Sequence, residues 1–236
     1  DLPLQIDTSD PATMEAALRL YNGKPLINSV NGKEESMRAI FPLMKKYGGA
    51  VIALTLDENG IPDTAEGRLA VAEKIVKTAE EYEIGRKDII VDALAMTISA
   101  GQEAAAVTLK TLSLIREKLG LYTSLGVSNI SFGLPQRENI NAAFFTMALQ
   151  NGLSAAIINP NSQAMMKAYD SYCALSGTDA QCMDYIAKYS GQAAETAPVS
   201  GTISLCDAIR KGLKESAGEA AREALQTRRP LQIIHD

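Results

Sequence analysis

GKPLINSVNGKEESMRAIFPLMKKYGG, residues 23–49, contains one complete strand–helix unit, and it decides the fold because the chain repeats it. An apolar run over residues 24–27 stops at Asn28, and a polar turn follows. Apolar side chains then recur with the period of an amphipathic helix until Gly48. The helical stripe consists of Met37, Ile40, Phe41 and Met44. The pattern predicts a buried β-strand followed by a helix.

Six such units follow one another along the chain. In each unit a short apolar burst closes on an acid or amide and leads into a segment of helical period. The closing residues are Asp7, Asn28, Asp57, Asp92, Asn129 and Asn159. Residues that favour the start of a helix follow several of these closing residues. The candidate helix starts are Ser9 or Asp10 before Pro11, and then Asn31, Thr64 and Ser99.

Strands that alternate with helices pair in parallel through right-handed crossovers. Doubly wound sheets and (β/α)8 barrels both meet this pattern. A doubly wound sheet usually carries a Gly-rich turn after its first strand, and QIDTSDPA at residues 5–12 contains no glycine. We therefore predict an α/β fold, a (β/α)8 TIM barrel, over residues 1–188. Because six units do not close an eight-stranded barrel, we expect them to be strands 3–8, with the first two strands before Asp1.

The character of the sequence changes after the sixth unit. Residues 189–202 are rich in Ala, Gly, Ser and Pro, which is typical of a linker. Residues 203–236 show two helical segments but are too few to form a core of their own. We predict that they begin a second, helical domain that this sequence does not complete.

Composition narrows the class of protein. The 236 residues are 46% hydrophobic and carry a formal net charge of −5 without a basic run, which argues against nucleic acid or an anionic membrane as a partner. The three cysteines have neither metal-ligand spacing nor an even count, and the single histidine is His235. No apolar run reaches the length of a membrane span, and no signal sequence is visible. We expect a cytoplasmic protein without a metal site.

The strand ends are the candidate site. In barrels, side chains at the C-terminal strand ends converge on one mouth, although an acid or amide there can instead cap the next helix. Because the helix starts named above offer better caps, we expect Asp7, Asn28 and Asp92 to remain free and face the mouth. No lysine stands at a strand end to form a Schiff base. Acids and amides together suit a ring with several N–H donors and acceptors, such as a pterin.

Over residues 3–176 the chain resembles the pterin-binding methyltransferase family. This family includes methyltetrahydrofolate:corrinoid/iron-sulfur protein methyltransferase and the folate module of cobalamin-dependent methionine synthase. The segments that carry the resemblance are LQIDTS (4–9), PLINSVNG (25–32), VIALTLDENGIP (51–62), IIVDALAM (89–96), LGVSNISFGLPQRENIN (125–141) and LSAAIINPN (153–161). Residues 203–236 resemble the start of a corrinoid-binding module, but they lack its cobalt-ligating Asp-x-His-x-x-Gly motif.

The resemblance implies a set of roles. The residues expected to bind the folate are Asp7, Asn28, Asp92, Gly126, Asn129, Arg137 and Ile157. Asn129 would lie near N5 of methyltetrahydrofolate. Because no histidine, lysine or cysteine stands at a strand end, Asn129 is also the candidate catalytic residue, as a hydrogen-bond donor to N5.

The resemblance also implies an activity, the transfer of the N5-methyl group of methyltetrahydrofolate to cob(I)alamin. The cobalamin would be carried by a partner corrinoid protein or cobalamin-binding domain, and a homodimer is a further expectation. Two alternatives stay open at this point. One is a dihydropteroate synthase-like pterin enzyme, which would need a strand-end lysine. The other is a non-catalytic folate-binding fragment of a larger enzyme.

Overall fold

The computed structural model describes residues 2–190, 205–210 and 214–227. The chain divides into two compact units, Asp1–Cys182 and Met183–Asp236. Most of the expected linker, residues 189–202, lies outside the described residues, so its boundaries stay a prediction.

The first unit is built on six parallel strands. They are β1 (Gln5–Asp7), β2 (Leu26–Asn31), β3 (Ala50–Leu54), β4 (Ile89–Asp92), β5 (Tyr122–Gly126) and β6 (Ala155–Ile157). Neighbours in sequence are neighbours in the sheet, in the order β1 to β6. Among the described residues, β1 and β6 each pair with one strand only, so the sheet is an open half-barrel. The predicted parallel order is confirmed, and these residues do not form a closed eight-stranded barrel.

One helix follows each strand. These helices are α1 (Pro11–Leu20), α2 (Glu34–Tyr47), α3 (Ala65–Glu81), α4 (Ala104–Leu114), α5 (Arg137–Gln150) and α6 (Gln163–Ser176). Helix α4 continues as a π-helical stretch, Ile115–Leu119. In the second unit lie α7 (Met183–Tyr189), α8 (Leu205–Arg210) and α9 (Lys214–Thr227), and the last two confirm the expected helical pair. No helix in the described ranges is long and apolar enough to cross a membrane.

Two predicted helix starts are confirmed and two are wrong. Asp10 caps α1 by accepting from the Ala12 and Thr13 amides, and the Thr64 hydroxyl accepts from the Gly67 amide at α3. Helix α4 begins at Ala104 and not near Ser99, because residues 93–103 form an irregular loop. Asn31 is the last residue of β2 and does not occupy the cap position of α2.

The hydrophobic core lies between the sheet and its helices. Ile27, Val51, Val91 and Leu125 are fully buried on the helix-facing side of their strands. The predicted stripe of α2 is buried against them, which confirms its assignment. Because side chains alternate along a strand, the strand residues on either side of each of these four face the other side of the sheet. That inner face carries the candidate site.

Four strands end elsewhere than expected, and one of them is β3, which ends at Leu54, three residues before Asp57. β2 continues past Asn28 to Asn31, with a register shift against β3 between Asn28 and Val30, where the Asn28–Ser29 peptide is cis. β5 ends at Gly126, so Asn129 lies in a following 3-10 turn, Val127–Ser131. β6 ends at Ile157, two residues before Asn159. The polar residue that was assigned to the strand end therefore lies inside the strand in β2 and beyond the strand in the other cases.

Candidate functional site

The strand-borne candidate residues share the inner face of the sheet. Asp7 pairs in register with Asn28, and Asn28 pairs with Ile52, which alternates with the helix-facing Val51 and Ala53. Asp92 lies on the same inner face, because it pairs with Leu54, two residues after Ile52, and with Ser124. Gly126, two residues after Ser124, and its partner Ile157 lie on that face as well. The structure therefore brings five of the seven candidates to one surface.

Asp7 and Asn28 form one side of this surface. The backbone amide of Thr8 donates to the Asn28 carbonyl at 3.2 Å, which ties the ends of the two strands together. Both side chains line a cavity of about 360 Å³ between the starts of α1 and α2. Asp7 is exposed and Asn28 is half-buried, so both can meet a ligand from solvent.

Asp92 lies deeper. It is only 6% exposed at the end of β4, and its register partners are Leu54 and Ser124. Its Oδ1 accepts from the Leu94 amide at 2.8 Å, so the carboxylate is not entirely free, in contrast to the expectation. Burial raises the pKa of Asp92 to about 6, against the opposing effects of the Leu94 hydrogen bond and the Arg68 charge.

Three residues that sequence reasoning missed support Asp92. The Thr55 hydroxyl donates to the Asp92 carbonyl at 3.0 Å, and Ser124 is buried beside it. Arg68 of α3 is 3% exposed and bonds to the backbone directly after Asp92. The sequence did indicate that Arg68 is buried, because it falls in the apolar stripe of α3 with Ala72 and Ile75. A buried charge needs hydrogen-bond partners or an ion pair.

Asn129 is exposed in the turn that follows β5. A Cβ atom on Gly126 would lie 3.0 Å from Asn129 Nδ2, so the absence of a side chain at Gly126 lets the amide fold back over the strand end. The neighbouring loop is joined to this turn, since the Ile98 amide donates to the Ile130 carbonyl at 3.0 Å. The loop before α4 thus supports the turn that carries Asn129.

Arg137 begins α5 and bonds to the same turn. Its Nη2 donates to the Ser128 carbonyl at 2.7 Å, and its Nε donates to Ser131 Oγ at 2.9 Å. The guanidinium carbon lies 4.3 Å from the centroid of the Phe132 ring. These contacts hold the Asn129 turn in place, and contact between Arg137 and a folate stays a prediction.

The fold and the site together define a parallel half-barrel protein with acids and amides at the C-terminal strand ends. The chain belongs to the pterin binding enzyme family, whose model matches residues 1–159.

Named relatives agree with the family. The chain is 31% identical over 188 residues to the methylcorrinoid:tetrahydrofolate methyltransferase of Eubacterium limosum, covering 78% of this chain and 69% of the relative. It is 33% identical over 171 residues to the methionine synthases of Mycobacterium tuberculosis and Mycobacterium leprae, covering 67% of this chain. It spans only 14% of the length of each methionine synthase.

Proposed function

We propose that this chain binds methyltetrahydrofolate and transfers its N5-methyl group to the cob(I)alamin of a corrinoid protein or module. The observation that carries the proposal is the buried Asp92 carboxylate on the inner face, with Asp7 and Asn28 on the same face. The family match and the relatives' names support the class of reaction.

The site chemistry suits a pterin. The pyrimidine edge of a pterin presents N–H donors to one side, and an ionised carboxylate accepts two of them in its plane. Oδ1 of Asp92 already accepts one hydrogen bond from the Leu94 amide. Oδ2 and the second lone pair of Oδ1 remain to accept from the ligand. Asn28 can donate and accept, which matches the mixed edge of the ring.

Ionisation of Asp92 gives folate binding a pH dependence. Because only the carboxylate accepts two N–H bonds, affinity is present above the pKa of about 6 and is lost as the pH falls through it.

Methyl transfer needs help at N5, since the folate nitrogen is a poor leaving group unless it gains a hydrogen bond as its bond to carbon breaks. The Asn129 amide is exposed, is fixed by the turn and can donate such a bond. An amide does not supply a full proton near neutral pH, so solvent delivers the proton. The donor acts mainly in the transition state and therefore affects turnover more than binding.

Cobalamin enters with the partner. When bound, its reduced cobalt supplies the nucleophile that attacks the methyl carbon. This chain contributes the residues that hold the folate and expose N5 at the strand ends of the half-barrel, where a corrinoid protein or cobalamin-binding domain has access.

A second candidate is the reverse reaction, from a methylcorrinoid to tetrahydrofolate. The name of the Eubacterium limosum relative describes that direction. Both directions share one transition state, so the same residues take the same roles. The direction in use depends on the methyl donor that the partner supplies.

Titration and turnover test the proposal together. We expect calorimetry to detect methyltetrahydrofolate binding to the full-length protein, and absorbance to follow methyl transfer to cob(I)alamin. Asn129→Ala should slow transfer by about 10²-fold or more, the scale of losing one preorganised donor, while folate affinity falls less.

The possible outcomes separate the alternatives. Equal losses of affinity and rate would restrict Asn129 to binding. Binding without any transfer would favour the non-catalytic fragment, and condensation of a pterin diphosphate with 4-aminobenzoate would favour the dihydropteroate synthase-like alternative. No binding of folate at all would refute the proposal.

A further inference from the structure

Arg68 is a buried cation with backbone partners on two loops. From α3 its Nε donates to the Pro62 carbonyl at 2.9 Å. Its Nη1 lies 2.8 Å from both the Ala93 and the Leu94 carbonyl oxygens. The planar fork of a guanidinium can hold several carbonyls in fixed relative positions, which a lysine ammonium does not reproduce.

The carbonyls that Arg68 holds belong to the turn that presents Asp92. Leu94 has φ +58°, in the left-handed region that branched side chains rarely adopt. This conformation accompanies the 2.8 Å bond from the Leu94 amide to Asp92 Oδ1. The Leu94 amide therefore donates to the Asp92 carboxylate, and the Leu94 carbonyl accepts from Arg68.

Helix α4 supplies a second anchor for the same turn. The Thr108 hydroxyl is fully buried and lies 3.3 Å from Arg68 Nη1, and it shares its proton between the Leu94 carbonyl at 3.1 Å and the Ala104 carbonyl of its own helix at 2.9 Å. The Leu94 carbonyl thus meets two side chains from two different helices. A turn fixed in this way leaves the Asp92 carboxylate little freedom to rotate.

We infer that Arg68 is a positioning residue for ligand binding, which holds the Ala93–Leu94 turn so that Asp92 stays ionised and aimed at the inner face of the half-barrel. This inference rests on the proposed folate site. It assigns to Arg68 a role that operates through Asp92 and involves no contact with the ligand.

The charge of Arg68 is part of this role. Burial lowers the pKa of Arg68, opposed by the charges of Asp63 in the β3–α3 loop and of Asp92. The other groups around Asp92, Thr55 of β3, Thr108 of α4 and Ser124 of β5, carry no charge. Loss of the Arg68 charge should therefore raise the pKa of Asp92 and move the pH midpoint of folate binding upward.

Two substitutions separate charge from geometry, with methyltetrahydrofolate binding measured by calorimetry from pH 5 to 8. Arg68→Gln removes the charge, and we expect its binding midpoint to lie above that of the wild type. Arg68→Lys keeps the charge but loses the fork, so we expect a midpoint close to that of the wild type and affinity about tenfold lower at pH 8. A purely structural role would lower affinity equally at all pH values in both variants and leave both midpoints unchanged, which would overturn the inference.

A third variant decides the matter if the arginine variants fail to fold. Thr108→Val removes the second anchor of the Leu94 carbonyl, and we expect weaker folate binding. Its matched control is Thr111→Val on the same helix, because within the described part of the chain the buried Thr111 hydroxyl donates only to the Val107 carbonyl. Equal affinities for these two variants would overturn the inference. If the wild type binds no folate, the proposed function itself fails, which is a different result from a wild type that binds and variants that bind equally well.

Discussion

Asp92 illustrates, at the scale of the residue, how a binding group reduces stability. Its carboxylate is 6% exposed, and the hydrogen bonds resolved to its side chain amount to one backbone amide. Burial of a charge without a direct ion pair is costly, so the carboxyl group loses its proton at a higher pH in the folded state than in the unfolded state. The native pKa of about 6 exceeds the ordinary value of 3.8. Folded protein therefore binds this proton more tightly than unfolded protein does, and stability decreases as the pH rises from about 4 to 6.

We accordingly expect Asp92→Asn to be more stable than the wild type at pH 7, by up to about 3 kcal/mol. The amide keeps an acceptor for the Leu94 N–H and carries no charge. The difference in melting temperature should shrink as the pH falls toward 4, where Asp92 is protonated in the folded state. Thermal unfolding at pH 7 and 4.5 tests this, and a variant less stable than the wild type at pH 7 would contradict it. Folate affinity should fall in the same variant.

Gly126 matters to the site because its missing side chain leaves room for the Asn129 amide. Its φ of −76° suits any residue, but a Cβ atom would meet Asn129 Nδ2 at 3.0 Å. We expect Gly126→Ala to displace the Asn129 amide and slow methyl transfer by about tenfold or more, with little change in melting temperature. Gly101→Ala is the control, since a Cβ atom there meets none of the described residues within 4 Å. Equal transfer rates in the two variants would show that Asn129 tolerates the shift.

At the scale of the element, α2 depends on a distant side chain for its cap. Lys33 occupies the cap position and makes no side-chain bond there. Glu58, from the turn after β3, accepts from the Glu34 amide at 2.9 Å and from Lys74 at 3.2 Å. The Glu34 amide is the largest cause that lowers the pKa of Glu58, from 4.5 to about 2. The β3–α3 loop thereby ties α2 to α3.

We expect Glu58→Gln to lower the melting temperature at pH 7. Because the folded pKa lies below the unfolded value, the stabilisation is present above pH 4.5 and disappears as the pH falls toward 2. The difference between variant and wild type should therefore narrow from pH 5 to pH 3. Glu73→Gln, at an exposed position of α3, serves as the control. A difference that stays constant with pH would mean that the Glu58 charge contributes nothing.

At the scale of the whole molecule, the sheet is open within the described residues. β1 and β6 each pair on one side only, which agrees with the expectation that six strands do not close an eight-stranded barrel. Large side chains on the inner face remain exposed, with Tyr122 at 55% and Ile157 at 45%. In a closed barrel such positions would fill the interior. The exposed side chains of Tyr122 and Ile157 lie on the same face of the sheet as Asp92.

Hydrogen exchange should reveal these edges. We expect the amides of β1 and β6 to exchange faster than those of β3 and β4, because an edge strand opens without breaking bonds on both sides. Mass spectrometry of peptides spanning Gln5–Asp7 and Ala155–Ile157 measures this directly. Protection equal to that of the central strands would show that another segment or another chain covers both edges.

Sequence by itself determined the order of elements and their pairing. The apolar bursts, the Asp10 and Thr64 caps and the buried stripe of α2 depend on residues close together in the chain, so periodicity reveals them. The family was also evident in the sequence, because its segments recur in order. The ends of the strands were predicted less well. Asn28 lies inside β2, and Asp57, Asn129 and Asn159 lie beyond the strands that they were expected to end.

Only the tertiary structure decided the environment of the site. Arg68 meets Ala93, Leu94 and Thr108 across separations of 25, 26 and 40 residues, and no local pattern encodes such contacts. The same holds for the raised pKa of Asp92, since desolvation depends on everything packed around the carboxylate. Local periodicity reflects interactions between near neighbours, whereas burial and charge depend on segments that only folding brings together.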